Sequence, residues 1–241
     1  MAATARYNRA AMLTVVIPTL DSERPLVGTL AALIPAAAAG VVSQVVVCDG
    51  GSGDDTLAVA DELGCDIVAA PRGRGSQLAA GARAARHPWL LFLHSDTQLE
   101  EGWHREAATF IERTEARNDG GHVAAVFGFA LDDYGFSARF LETMVRVRCA
   151  LFALPYGDQG LLISRRHYDR LGGFRPIPLM EDVDLVRRIG RRGLVYLRAR
   201  AVTSAERYRR EGYLRRMARN AGCLTLFFLR VPPRLIARVY G

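Results

Sequence analysis

Apolar and polar positions along the chain follow two rhythms. Leu13-Thr14-Val15-Val16-Ile17, closed by Pro18, and Gln44 to Cys48 are short β-branched apolar runs, the pattern of strands buried on both faces. Between them Asp21-Ser22-Glu23-Arg24-Pro25 supplies a cap and a first turn, and Leu26 to Ala39 predicts a helix ended by Gly40. Asp49-Gly50-Gly51-Ser52-Gly53 predicts a turn, and Asp54-Asp55 open a helix that runs to Leu63-Gly64. Ile67-Val68-Ala69 is a third strand, Ser76 to Arg86 a helix, and Trp89 to Leu93 a fourth strand ending in His94-Ser95-Asp96. Strands and helices that alternate across short links predict a parallel sheet covered on both faces. Ligands of such sheets sit at the carboxyl ends of the strands, here Thr19–Asp21, Asp49–Asp54 and His94–Asp96.

The second half is more mixed. The periodicity predicts helices over Glu100 to Glu115, Ser137 to Ala153 and Glu181 to Arg191. Strands are expected over Val123 to Leu131, Leu161 to Ile163 and Leu194 to Leu197, with a turn at Tyr156 to Gly160. From Glu211 onward the pattern is helical and breaks at Pro232-Pro233. Without a repeat or a clear linker, the chain reads as one domain over 1–200 and a basic amphipathic extension over 201–241.

Composition changes this picture in two ways. All 32 basic residues are arginine, which excludes a Schiff base, a pyridoxal anchor and a P-loop lysine. The net charge of +7 is uneven: Arg187 to Gly241 holds 15 Arg against Glu206 and Glu211, while residues 1–186 carry a net −6. Such a body with no interleaved basic–aromatic motif counts against nucleic acid as a partner. A basic end suits anionic lipid headgroups or phosphorylated substrates, and a solvated arginine surface is the plainer alternative. Cys48, Cys65, Cys149 and Cys223 lack metal or disulfide spacing. Met1 to Met12 has no apolar stretch of a signal peptide, and the uncharged run Ala221–Leu229 is far short of the roughly 20 residues that span a bilayer. A cytoplasmic protein is expected, with membrane contact at most peripheral, on the inner face.

Carboxylates gather at the predicted loop ends: Asp21, Asp49, Asp54, Asp96, Asp158, Glu181 and Asp182. Helix capping accounts for Asp21 and Asp54. Asp96 stands at the mouth of the crevice, where it either holds a divalent cation against a diphosphate or caps a helix begun near Leu99. Asp49 ends a buried strand, placed to accept hydrogen bonds from a base or ribose. Pro71-Arg72-Gly73-Arg74-Gly75-Ser76 sets arginines and backbone donors before a helix, which suits a phosphate, although its spacing is neither a dinucleotide fingerprint nor a Walker A loop. Glu181-Asp182 are either first-turn acids favoured by the helix dipole or a source of a general base. The histidines show no HExxH spacing, and no G-x-S-x-G elbow supports a serine triad.

Taken in order, four blocks resemble the family 2 glycosyltransferases of GT-A fold, over about Leu13 to Leu197. They are Val15 to Asp21, Val46 to Thr56 with its Asp49-Gly50-Gly51-Ser52 loop, Leu93-His94-Ser95-Asp96 at the place of the D-x-D metal motif, and Met180-Glu181-Asp182-Val183-Asp184-Leu185. The Arg72 to Gln77 stretch and Gly157-Asp158-Gln159-Gly160 resemble a short single-domain bacterial subgroup of uncharacterised members. The resemblance implies a Rossmann-like, mostly parallel mixed sheet flanked by helices, with a nucleotide-binding half over about 12–98 and an acceptor and catalytic half over about 99–200. It implies inverting transfer from a nucleoside-diphosphate sugar to a hydroxyl acceptor. The donor would lie on Pro18, Thr19, Asp21, Asp49, Gly50, Ser52, Arg72, Arg74, Ser95 and Asp96. Mg²⁺ or Mn²⁺ would be held by Asp96, with His94, which replaces the first aspartate of the motif, either as a second ligand or as a group supporting the ligands from behind. Asp182 would be the base, Glu181 its orienter or an acceptor contact, and Gly157, Asp158 and Gln159 the sugar or acceptor side. A sugar-phosphate nucleotidyltransferase is the enzymatic alternative, against which the missing lysine counts. A non-catalytic relative that binds membrane or partner is the other, against which Asp49, Asp96 and Asp182 argue. The tail is expected either to lie on an anionic membrane or to pack on its own domain or a homodimer mate.

Overall fold

The computed structural model describes residues 12–119 and 121–240; Met1 to Ala11, expected to hold no signal segment, lie outside the described residues. The apolar runs form one eight-stranded sheet of order β3-β2-β1-β4-β7-β6-β8-β5. Its strands are β1 (Leu13–Thr19), β2 (Val42–Asp49), β3 (Asp66–Ala69), β4 (Trp89–Phe92), β5 (Thr97–Leu99), β6 (Ala124–Leu131), β7 (Leu161–Ser164) and β8 (Leu194–Thr203). Pairings within β3-β2-β1-β4 are parallel, as is β6 with β8, while β7 and β5 run antiparallel to their neighbours. This is the mostly parallel, helix-flanked α/β sheet expected of a GT-A fold.

Alternation along β1 builds the two cores. Leu13, Val15 and Ile17 join Leu26 and Leu30 of α1 (Glu23–Ala31), Ala36 of α2 (Ile34–Ala38), and Trp103 and Ile111 of α5 (Trp103–Ala116). Val16 points to the other face. There it meets Leu78 and Ala82 of α4 (Arg74–Ala84), Tyr168 of α7 (Arg165–Arg170) and Val183 of α8 (Glu181–Ile189). The remaining helices are α3 (Thr56–Glu62), α6 (Phe136–Phe152), α9 (Glu206–Glu211), α10 (Tyr213–Phe228) and α11 (Pro233–Tyr240). At Gly81 of α4 a Cβ would run into Val16 and Cys48, so this helix can lie against the sheet only through glycine.

Several expected boundaries move. The helix predicted over Leu26 to Ala39 divides into α1 and α2, because Pro35 lacks the N–H needed to continue a helix and instead sits in the first turn of a new one. The segment after Asp96 is strand, not helix: Thr97 and Leu99 are buried, Gln98 is exposed, and Thr97 Oγ1 meets Thr203 Oγ1 at 2.9 Å across β5–β8. Helix α5 begins only beyond Gly102, so Asp96 does not cap it. Strand β8 runs past Leu197 to Thr203, and the compositional boundary at residue 200 falls inside it. Beyond it α10 and α11 fold back on the domain, burying Cys223 and Ile236 in the second core. Among the described residues no helix is long and apolar enough to cross a membrane.

Candidate active site

The loops after β1 and β2 are stitched into one platform. Gly50 N donates to Thr19 O at 2.9 Å, Asp21 N to Ser52 Oγ at 2.9 Å, and Gly53 N to Asp21 Oδ1 at 2.8 Å. Asp21 therefore ties the two loops together instead of capping α1. That cap comes from Asp54, which accepts from Glu23 N at 3.1 Å and from Thr56 N at 3.1 Å, serving the starts of both α1 and α3. Asp49, 5% exposed, accepts from Thr19 Oγ1, Gly51 N, Ser52 N and Ser52 Oγ. Burial opposes its charge, yet these hydrogen bonds outweigh it and hold the carboxyl below the usual range. Gln77, whose role the sequence reading missed, donates to Thr19 O at 2.6 Å and Cys48 O at 2.8 Å and braces both strand ends.

Removing this organiser should cost more than one hydrogen bond. Asp49→Ala is expected to destabilise the protein by about 2–4 kcal/mol, since several donors lose a charged acceptor together. A depressed folded pKa gives stability that is present above the ordinary aspartate value and lost as pH falls through the folded one. The gap between wild type and Asp49→Ala should therefore narrow as pH falls from about 4 through the lower folded value, read by chemical denaturation across pH; a gap that widens toward acid contradicts the assignment.

The second part of the site is a cavity of about 110 Å³ lined by His94, Asp96, Asp158 and Asp182 together with Arg74 and Arg207. His94 and Asp96 follow β4, Asp158 lies in the short 3-10 turn Gly157–Gln159, and Asp182 opens α8. Asp182 is held by backbone donors, with Gly157 N on Oδ2 and Val183 N on Oδ1, each at 2.7 Å. A Cβ at Gly157 would stand 2.6 Å from His94 Nε2 and 3.4 Å from Asp182 Oδ2, so this turn approaches both groups only as glycine. Burial and the neighbouring Arg74 push His94 down to about 4, against the pull of Asp96 and Asp182. Its imidazole is therefore neutral at pH 7, with one ring nitrogen able to donate a lone pair. Burial raises Asp158 to about 6, with Asp182 and Asp96 adding to the rise, and its Oδ1 is buried without a hydrogen-bond partner.

Glu181 behaves differently from its neighbour. Its carboxylate is 1% exposed and turned onto Arg74 Nε at 2.8 Å, without a hydrogen bond of good geometry to either oxygen. Burial raises its pKa, partly offset by Arg74. It is thus placed to set the position of Arg74, and the turn at Gly157, not Glu181, holds Asp182.

The residues expected on the donor side divide. Thr19 and Asp49 are spent on the loop platform, Pro18 is buried in β1, and Gly50 packs against Gln77 and Arg72. Ser95 hydrogen-bonds Ser22 through its hydroxyl and Thr29 through its carbonyl. Arg72 is exposed and outside the cavity, whereas Arg74 lines it. Gln159 is buried, donating to Phe127 O at 3.0 Å and accepting from Cys149 Sγ at 3.2 Å, and takes no part in the cavity wall. Further walls include Tyr156, Tyr208, Arg216, Asn220 and Tyr240, which, like Arg207, were not expected in the site from sequence. The positive charge of the last 55 residues was the signal pointing toward those beyond β8, and the turn expected at Tyr156 to Gly160 the one pointing toward Tyr156. Arg216 is 8% exposed, ion-paired with Glu211 at 3.0 Å and set 5.0 Å from the Tyr208 ring centroid.

Among the described residues no three His, Cys, Asp or Glu side chains group as a metal cage. The cavity instead offers a carboxylate and a neutral imidazole, Asp96 and His94. That donor set fits a divalent cation which completes its coordination with substrate phosphate and water.

Several solved structures share this fold. S. aureus TarS (residues 1–349) superposes with a TM-score of 0.62 at 17% identity, over 80% of this chain and 60% of that one. Glucosyl-3-phosphoglycerate synthase from Mycobacterium tuberculosis, solved with Mn²⁺, UDP and glucosyl-3-phosphoglycerate, gives 0.54 at 19%, over 83% and 73%. In sequence, an uncharacterised glycosyltransferase of M. tuberculosis is 38% identical over 91 residues, 37% of this chain and 39% of that protein. The chain thus aligns with about two fifths of that relative's length. The profile of glycosyl transferase family 2 matches residues 14–159, more than half of the chain, and the protein belongs to that family.

Proposed function

We propose that this protein transfers a glycosyl group, with inversion, from a nucleoside-diphosphate sugar to an acceptor hydroxyl. The observation that carries the reading is the convergence of Asp96, His94 and Asp182 on one cavity at the end of β4, beside the platform after β1 and β2. Asp182 uses one lone pair of each oxygen on a backbone N–H, which leaves lone pairs facing the cavity for an acceptor hydroxyl. As the hydroxyl oxygen attacks the anomeric carbon, its proton passes to Asp182 and the departing diphosphate keeps the bonding pair. Asp96 and His94 would hold Mg²⁺ or Mn²⁺, which supplies positive charge to the leaving diphosphate. Arg74 and Arg207 add fixed positive charge on the same cavity. Asp21, Ser52 and the backbone of Gly50 shape the platform for the base and ribose.

A thermal-shift panel of UDP, GDP and dTDP sugars, with and without Mn²⁺, tests the reading. One nucleotide is expected to stabilise the protein by about 2.7 kcal/mol at a hundredfold excess over its Kd. Asp96→Ala should remove the Mn²⁺-dependent part of that gain. Silence of the whole panel contradicts donor binding, and an undiminished Mn²⁺ effect in Asp96→Ala contradicts the metal assignment.

A further inference from the structure

Beside the catalytic cavity lies a second, apolar cleft of about 450 Å³ between α6 and α10. Leu141, Met144 and Val145 of α6 face Leu214, Met217 and Leu224 of α10 across it. The two hollows share Tyr156, Asp158, Tyr208 and Asn220 as common walls. At this junction Arg148 lies 3.4 Å from the Tyr156 ring centroid with a buried Nη2 that has no hydrogen-bond partner, matching the unpartnered Asp158 Oδ1. Outward from the cleft, α6 exposes Phe136 (85%), Phe140, Met144, Val147 and Leu151 (60%) at spacings of four, four, three and four residues. That is one continuous exposed apolar stripe along the helix.

We infer that this cleft binds the hydrocarbon chain of an amphiphilic acceptor whose hydroxyl end reaches Asp182. The inference rests on the proposed transfer reaction and names the acceptor class. A molecule that spans both hollows must be polar at one end, among Asp96, Asp158, Asp182 and the arginines, and apolar along the rest. A nucleoside-diphosphate sugar has no apolar part of that kind, so the cleft belongs to the acceptor side. Tyr156 and Tyr208, apolar in body and polar at the tip, suit the transition between the two environments.

The test uses the full chain and two probes with the same headgroup, n-octyl β-glucoside below its micelle concentration and methyl β-glucoside, titrated by saturation-transfer NMR. Octyl glucoside is expected to bind saturably and at least tenfold more tightly than methyl glucoside. Ala218→Trp and Ala221→Trp, both at exposed positions that line the cleft, should plug it and weaken octyl glucoside binding at least tenfold. Met144→Glu, also a partly exposed wall, should do the same without adding bulk. All three should keep the wild-type melting temperature and nucleotide-dependent stabilisation. Equal affinity for the two glucosides, or wild-type binding in the plugged variants, overturns the inference. So does a wild-type dimer in sedimentation that Ala221→Trp separates into monomers, because a second copy would then cover the cleft. Chain-dependent binding in a protein that answers no nucleotide supports the cleft and overturns the transfer reading alone.

Discussion

Asp182→Asn is expected to lower turnover about 10³-fold while changing nucleotide-sugar affinity less than threefold. The amide keeps the shape of the carboxylate but cannot take the acceptor proton, and a positioned general base contributes about 10²–10⁴ in rate. The loss should fall on kcat, with KM for the donor nearly unchanged, because the proton moves only on the way to the transition state. A small structural cost accompanies it. Both Asp182 oxygens accept backbone N–H groups, from Gly157 and Val183, and an asparagine can accept only one of them. Stability should therefore fall by about 1 kcal/mol. Glu181→Gln supplies the contrast, because Glu181 faces Arg74 and not the cavity: its turnover should stay within tenfold of wild type. Turnover in Asp182→Asn within tenfold of wild type would remove the base assignment, and a larger loss in Glu181→Gln would exchange the two roles.

What could be read from sequence was whatever local pattern determines. The runs ending at Thr19, Asp49 and His94 are short and largely apolar, the first two rich in β-branched residues, so they declare parallel strands and, with them, the edge at which ligands gather. Met180 to Leu185 carries acids at the first turn of an apolar-periodic segment, so α8 and its carboxylates were equally legible. Pairings across long separations were not. Asp54 looks like a cap for the helix that follows it, and it also caps α1 from 31 positions away, because the two loops meet in space. Arg72 and Arg74 read alike in sequence. The chain turns through Gly73 at φ +132° between them, and only Arg74 enters the helix that carries it to Glu181. Strand β5 is three residues long, too short for alternation to stand out, and is defined by its partner β8. The tail declared its charge but not its destination. Arg216 is buried because Glu211, Tyr208 and Tyr240 surround it, and that enclosure follows from the way α9, α10 and α11 fold together.

Removing the guanidinium of Arg74 is expected to destabilise the protein by about 3–5 kcal/mol at neutral pH, the cost of leaving a buried carboxylate without its counter-charge. Glu181 carries this cost, being 1% exposed, while Arg74 itself is 40% exposed and would be solvated without its partner. Burial already holds Glu181 above the ordinary glutamate value of about 4.5, and loss of Arg74, which lowers it, must raise it further. A raised folded pKa means that the penalty is absent below the ordinary value, grows as pH rises through the folded one, and is complete above it. The deficit of Arg74→Ala should therefore be small near pH 4 and full near pH 8, measured by denaturant unfolding at both. Arg74→Ala/Glu181→Gln should recover most of the loss, since the neutral amide no longer needs a cation, and the coupling in this cycle should exceed about 2 kcal/mol. Additive losses, or a deficit independent of pH, contradict the pair as the cause. The recovered double variant then isolates the second duty of Arg74: if its guanidinium also meets the donor diphosphate, nucleotide affinity falls about tenfold in a protein whose stability is nearly that of wild type.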